Sequence, residues 1–160
     1  MRSCITIICL VICQFANTQT VIPAPVDSLV RSVPFAPDDS TKARLYNRIF
    51  NELVTVDARA AMLYGFAGLG QVNKMKWLKG KTIFYNNIGR SYSGLGLYDS
   101  AILYFELSLK HARLDKNQLT MANTYNNMAV AAQNIKADYP TAASYYFKSL
   151  ELVKEFGDST

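Results

Sequence analysis

The side chains able to do covalent or metal chemistry are few, and the chain keeps them apart. Three thiols, Cys4, Cys9 and Cys13, fall within the first thirteen positions, while the one imidazole, His111, lies far downstream. Nucleophilic catalysis needs a nucleophile beside a base, and a metal site needs several converging ligands. The cysteines sit in or beside an apolar run from Ile5 to Ile12 behind Arg2, the layout of a secretory signal too short to span a bilayer. Once that segment is removed no cysteine remains, which excludes a disulfide framework, thiol catalysis and cysteine metal sites. His111 has no second histidine to work with and is expected near a helix end, where a cation is favourable. Gly65, Gly68 and Gly70 follow no strand and lack the spacing of a phosphate loop, so they read as a loosened or broken helix. No catalytic residue, metal ligand or cofactor is expected, and the chain does not read as an enzyme. The chemistry left is hydrogen bonding by asparagine amides, which recur as pairs at Asn86-Asn87 and Asn126-Asn127.

Those pairs belong to a larger self-similarity. Tyr85-Asn86-Asn87-Ile88-Gly89 returns forty positions later as Tyr125-Asn126-Asn127-Met128-Ala129. Ala101, Tyr104, Phe105, Ser108 and Leu109 return as Ala142, Tyr145, Tyr146, Ser149 and Leu150, forty-one positions on. Upstream, Leu45, Asn47, Ala61, Tyr64 and Leu69 fit the same frame more weakly. Internal repeats of this length signal stacked supersecondary units.

Each unit divides into two helices. Tyr85, Ile88, Gly89 and Tyr92 share one helical face, and Gly94-Leu95-Gly96 interrupts it. A second helix from about Asp99 carries Ala101, Phe105, Ser108 and Leu109, so the unit is a helical hairpin. Small residues at Gly89 and Ala101 allow close approach, and Tyr92 and Phe105 fill the space around them. The repeat-defining core is therefore Tyr85, Ile88, Gly89, Tyr92, Ala101 and Phe105, with Tyr125, Met128, Ala129, Ala142 and Tyr146 in the last copy. One hairpin cannot cover its own apolar face, so neighbours must stack.

With these residues in view the middle unit resembles the tetratricopeptide repeat. Tyr85, Ile88-Gly89, Tyr92, Ala101, Phe105 and Ser108 stand where that family has its large, small and aromatic positions. Arg113 replaces the usual closing proline, and the Asn-Asn pair fits a longer variant similar to kinesin-light-chain repeats. The resemblance implies an all-α, right-handed α-solenoid of about three hairpins, at about 39–79, 80–117 and 118–158. It also implies a concave groove lined by the first helix of each hairpin. Opposite the packing stripe this places Asn86, Asn87, Arg90 and Ser91, then Asn123, Asn126, Asn127, Val130, Ala131 and Asn134, with Asn47 opening the column. Repeated amides there suit the backbone of an extended peptide. The competing reading is that they tie neighbouring helices together. The Lys and Arg pattern needed to clamp a terminal carboxylate is missing.

Composition agrees with a folded, interacting chain. Its 160 residues are 50% apolar and 18% charged, with a formal charge of +5 and no basic run that would track nucleic acid or an anionic leaflet. The densest basic stretch, Lys74, Lys76, Lys79 and Lys81 around Trp77, reads as a solvated turn. The expected organisation is a signal at 1–18 cut after Thr18, a linker with a short helix at 19–38, and repeats over 39–160. A lipid on Cys13 or an uncleaved anchor are the other outcomes for the signal, and both tether the chain to a membrane. Export to the periplasm or membrane surface is expected, with a protein or peptide partner and no nucleic-acid or small-molecule substrate. The layout resembles the exported front end of Bacteroidetes-type sensor proteins, so the chain is also readable as part of a sensor kinase or regulator. A structural oligomerisation domain is the remaining reading. Gly157-Asp158-Ser159-Thr160 reads as a turn entering another repeat.

Overall fold

The computed structural model describes residues 24–158, and every regular element among them is helical. The expected signal, its expected cleavage position and Cys13 lie outside the described residues. In chain order the helices are α1 (Ala24–Ser32), α2 (Asp39–Leu53), α3 (Ala58–Lys74), α4 (Leu78–Gly94), α5 (Tyr98–Leu114), α6 (Gln118–Lys136) and α7 (Tyr139–Asp158). A 3-10 turn, Val33–Phe35, follows α1.

Short side chains fix where several helices start. Asp38 accepts from the Thr41 N–H at 2.6 Å, Asp57 from the N–H groups of Arg59 and Ala60, and Asn117 from that of Thr120 at 3.1 Å. Each satisfies donors that a first helical turn leaves open. The ends share another device. Lys76, Gly96 and Lys116 adopt positive φ of 53°, 73° and 51°, and the next residue's N–H reaches back to the carbonyl of Val72, Tyr92 or Ala112. This is the left-handed helix stop that glycine fills without strain, occupied twice here by lysine. Because α3, α4 and α5 are each 17 residues long and are followed by the same three-residue turn, equivalent positions recur every twenty residues and whole hairpins every forty. Helix α6 runs to 19 residues and stops at left-handed Ala137, which displaces α7 by one position and produces the forty-one-residue spacing.

Helices α2 and α3, α4 and α5, and α6 and α7 pair closely, and α3 packs on α4 as α5 packs on α6. In addition α4 touches both α2 and α6, so the first helices of the three pairs stand side by side. The core runs through these contacts. Phe50, Phe84 and Phe105 are fully or almost fully buried, and side chains of this size contribute about 1.5–3 kcal/mol each when withdrawn from water.

Four expectations need correction. The glycines do not break a helix, because α3 is continuous from Ala58 to Lys74 and buries Gly65 and Gly68. The segment expected as a linker with a short helix does hold a short helix, α1, but it starts earlier than an extended stretch to Val26 allows and packs on α2, with Val26 fully buried among Ile49, Phe50, Leu53 and Ala61. Gly157 and Asp158 fall within α7, not in a turn. Tyr146 is 37% exposed although its counterpart Phe105 is 0% exposed, because among the described residues no helix lies across α7 as α6 lies across α5. The other repeat-defining residues are buried or half-buried, and Gly89 seats the Phe105 ring so closely that a Cβ there would stand 2.6 Å from it.

Candidate partner-binding cleft

Where α2, α4 and α6 stand side by side, their amides join across the seams. Asn87, 4% exposed, donates through Nδ2 to the Asn47 Oδ1 at 2.8 Å. Asn127 donates in the same way to the Asn86 Oδ1 at 3.1 Å. The pair on α4 thus reaches both ways, Asn87 back to α2 and Asn86 forward to α6. An amide in a partly desolvated seam must find a partner, and a second amide supplies a donor and an acceptor at once. Asn87 therefore belongs to the scaffold and does not present its side chain to a groove. Ser91 and Ala131, placed on the same face by sequence, are also 0% exposed. Neighbouring helices bury these positions, α2 at Asn87 and α5 at Ala131, which a helical wheel of one repeat cannot show.

Beside these rungs the surface opens into a cleft of about 190 Å³ lined by Val54, Thr55, Arg90, Ser93, Phe105, Asn127 and Val130. The turn after α2 supplies Val54 and Thr55, α4 supplies Arg90 and Ser93, and α6 supplies Asn127 and Val130. Phe105 of α5 closes the floor. Arg90 lies over the Phe50 ring, 5.3 Å from its centroid, and donates through Nη1 to the Asn51 Oδ1 at 3.1 Å. Burial lowers its pKa from the ordinary guanidinium value. No carboxylate stands within ion-pair distance of Arg90 among the described residues. A guanidinium carries five donors, so most remain to meet an acceptor entering the cleft.

The expected site residues therefore divide into three groups. Arg90, Asn127 and Val130 come together at the cleft. Asn86 and Asn87 are spent on rungs, and Asn127, although it lines the cleft, gives one amide hydrogen to the rung with Asn86. Asn123, Asn126 and Asn134 are exposed on α6 outside the cleft lining. Sequence reasoning missed Asn51, Val54, Thr55, Ser93 and Phe105. Asn51 follows Asn47 by one helical turn, a spacing that would have marked it as the next residue on that face.

His111 belongs elsewhere. It stacks on Tyr85 with ring centroids 5.2 Å apart, and its buried Nδ1 has no hydrogen-bond partner among the described residues. Burial first, then Lys81 and Lys110, lower its pKa below 6.5. The expected favourable cation at this helix end is thus outweighed by desolvation. Trp77 anchors the lysine-rich turn by packing on the cluster of Ala43, Val72 and Phe84, while Lys74, Lys76 and Lys79 remain exposed. Among the described residues no acidic, His or Cys group could hold a metal ion, and no helix is long and apolar enough to cross a membrane. Comparison with protein-family models finds no match, and comparison with curated proteins finds none either.

Proposed function

We propose that the chain is an exported, right-handed α-solenoid of tetratricopeptide type. Its work is to bind a peptide or partner protein in the cleft between the first helices. The observation that carries this reading is the Arg90 cleft: a half-buried guanidinium without a carboxylate, flanked by apolar Val54, Val130 and Phe105 and by polar Thr55, Ser93 and Asn127. An apolar floor supplies affinity, and unspent donors orient a carbonyl or carboxylate of the ligand. The forty-residue period, the ordered helix contacts and the rungs from Asn47 to Asn127 support the solenoid part of the reading. The pattern of Arg2 followed by the apolar run Ile5 to Ile12 supports export, with a role as the sensory or scaffold part of a larger protein.

The test is a peptide library screened against the immobilised chain, comparing wild type with Arg90→Ala plus Val130→Asp. Peptides enriched by the wild type should carry an acidic residue and lose binding to the double variant. Equal enrichment by both proteins would remove the cleft from the account.

A further inference from the structure

A second hollow lies where α6 packs between α5 and α7, and it shares no lining residue with the Arg90 cleft. It encloses about 400 Å³, a volume usual for small-molecule sites. Buried Leu109 of α5 and Met128 of α6 supply its apolar part, and the half-buried rings of Tyr125 and Tyr145 stack beside them with centroids 6.2 Å apart. Glu106, Arg113 and Lys148 complete the lining. Because Glu106, Leu109 and Arg113 follow at i, i+3 and i+7, one face of α5 brings both signs of charge to the hollow around an apolar centre.

One repeat earlier the positions of the three ionisable residues hold Phe66, Asn73 and Leu107, none of them charged. Phe66 there meets Tyr104 edge-on at 6.0 Å. The tyrosines persist from one seam to the next, as Tyr85 and Tyr104 and then Tyr125 and Tyr145, so the charges are what the second seam adds. Lys148 Nζ lies over both rings, 5.7 Å from the Tyr125 centroid and 5.5 Å from that of Tyr145, and Arg113 donates to the Tyr125 hydroxyl at 3.2 Å. Two cations are thus gathered at one tyrosine, and among the described residues neither has a carboxylate within ion-pair distance. Glu106 stands at the other ring. Burial, then Tyr98 and Glu106, raise the Tyr145 pKa, yet Glu106 makes no ion pair among the described residues.

We propose that this hollow binds an apolar α-amino acid as its zwitterion. The ligand carboxylate meets Arg113 and Lys148, its ammonium meets Glu106, and its side chain lies on Leu109 and Met128 beside the tyrosine rings. Charges of opposite sign that line one hollow without pairing are satisfied together only by a ligand that carries both. A simple anion would face the Glu106 carboxylate, and a simple cation would face two others. The sequence alone gives no sign of this site, because Glu106, Arg113 and Lys148 meet only when α5 and α7 come together on α6.

The experiment titrates the full chain by calorimetry with L-leucine, with isocaproate, which lacks the ammonium, and with isoamylamine, which lacks the carboxylate. L-Leucine should bind saturably, and each analogue at least about tenfold more weakly. Glu106→Gln should weaken L-leucine by at least about tenfold while isocaproate binds as well as before or better. Lys148→Gln and Arg113→Gln should weaken both. All three side chains are exposed, so each variant should melt as the wild type does. Should a variant melt differently, the two analogues test the same point on the unaltered chain. Absence of saturable L-leucine binding, equal binding of L-leucine and isocaproate, or indifference of L-leucine to the three variants would overturn the proposal.

Discussion

The junction between the first and second hairpins and the junction between the second and third meet through the same positions with different side chains. At the first, α3 presents Gly65 and Gly68, and α4 fills the space with Ile88 and Phe84. At the second, the residues forty positions later are Phe105 and Ser108 on α5, met by Met128 and Thr124 on α6. The pair Gly68–Phe84 is an apolar ring laid on bare backbone, and its counterpart Ser108–Thr124 is a hydroxyl pair 3.2 Å apart. What repeats is therefore the meeting of these four positions and not the residue at any of them. This is why the first copy looks degenerate in sequence although its helix is whole.

The largest effect should come from adding volume where the ring has taken it. Gly68→Leu puts a branched side chain into the Phe84 ring and should destabilise by about 3 kcal/mol or more, read from denaturant unfolding. A cost under about 0.5 kcal/mol would break the comparison, since ordinary surface substitutions lie in that range. Gly89→Leu, aimed at Phe105 within the second hairpin, should cost about 1–3 kcal/mol and lower the melting temperature. At the polar junction, Thr124→Val removes a hydroxyl that donates to the Thr120 carbonyl and lies 3.2 Å from the Ser108 oxygen, and should cost about 1–2 kcal/mol. The turns sharpen the contrast from another side. Lys116→Gly relieves a left-handed lysine in the very turn that Gly96 closes without strain, and should raise stability by about 0.5–1 kcal/mol.

The smallest effect is a pH dependence within the second hairpin. The pKa of His111 is lowered in the fold, so the unfolded chain takes up the proton more readily. Its contribution to stability is therefore complete above pH 6.5 and declines as pH falls below that value. His111→Phe keeps the stack on Tyr85 and should flatten the melting temperature between about pH 7 and pH 5 relative to wild type. An identical slope in both proteins would place the titrating group elsewhere.

Helical class was legible because apolar spacing is a local property: Ile88 and Tyr92 announce their face without reference to any other helix. The period was legible for the same reason. The destinations of side chains were not. Asn87 looks free on a single helical wheel, and only the approach of α2 turns it into a rung with Asn47. Gly68 reads as a helix breaker until Phe84 is seen occupying the space of its missing side chain. Val26 reads as linker because its partners, Ile49, Phe50 and Leu53, lie a helix away in sequence. In each case the deciding neighbour comes from another element, and local pattern carries no information about it.

The claim on which the rest depends is that Gly68 is held small by Phe84 across the first junction. A double-mutant cycle of Gly68→Ala with Phe84→Leu tests it, with Gly70→Ala, which points into open space on the same helix, as the reference. Helix propensity alone favours alanine over glycine by about 1 kcal/mol, and Gly70→Ala should show that gain in either background. Gly68→Ala should instead destabilise the wild type and become neutral or stabilising once the ring is shortened by Phe84→Leu. A Gly68→Ala effect of the same sign and size in both backgrounds would contradict the account.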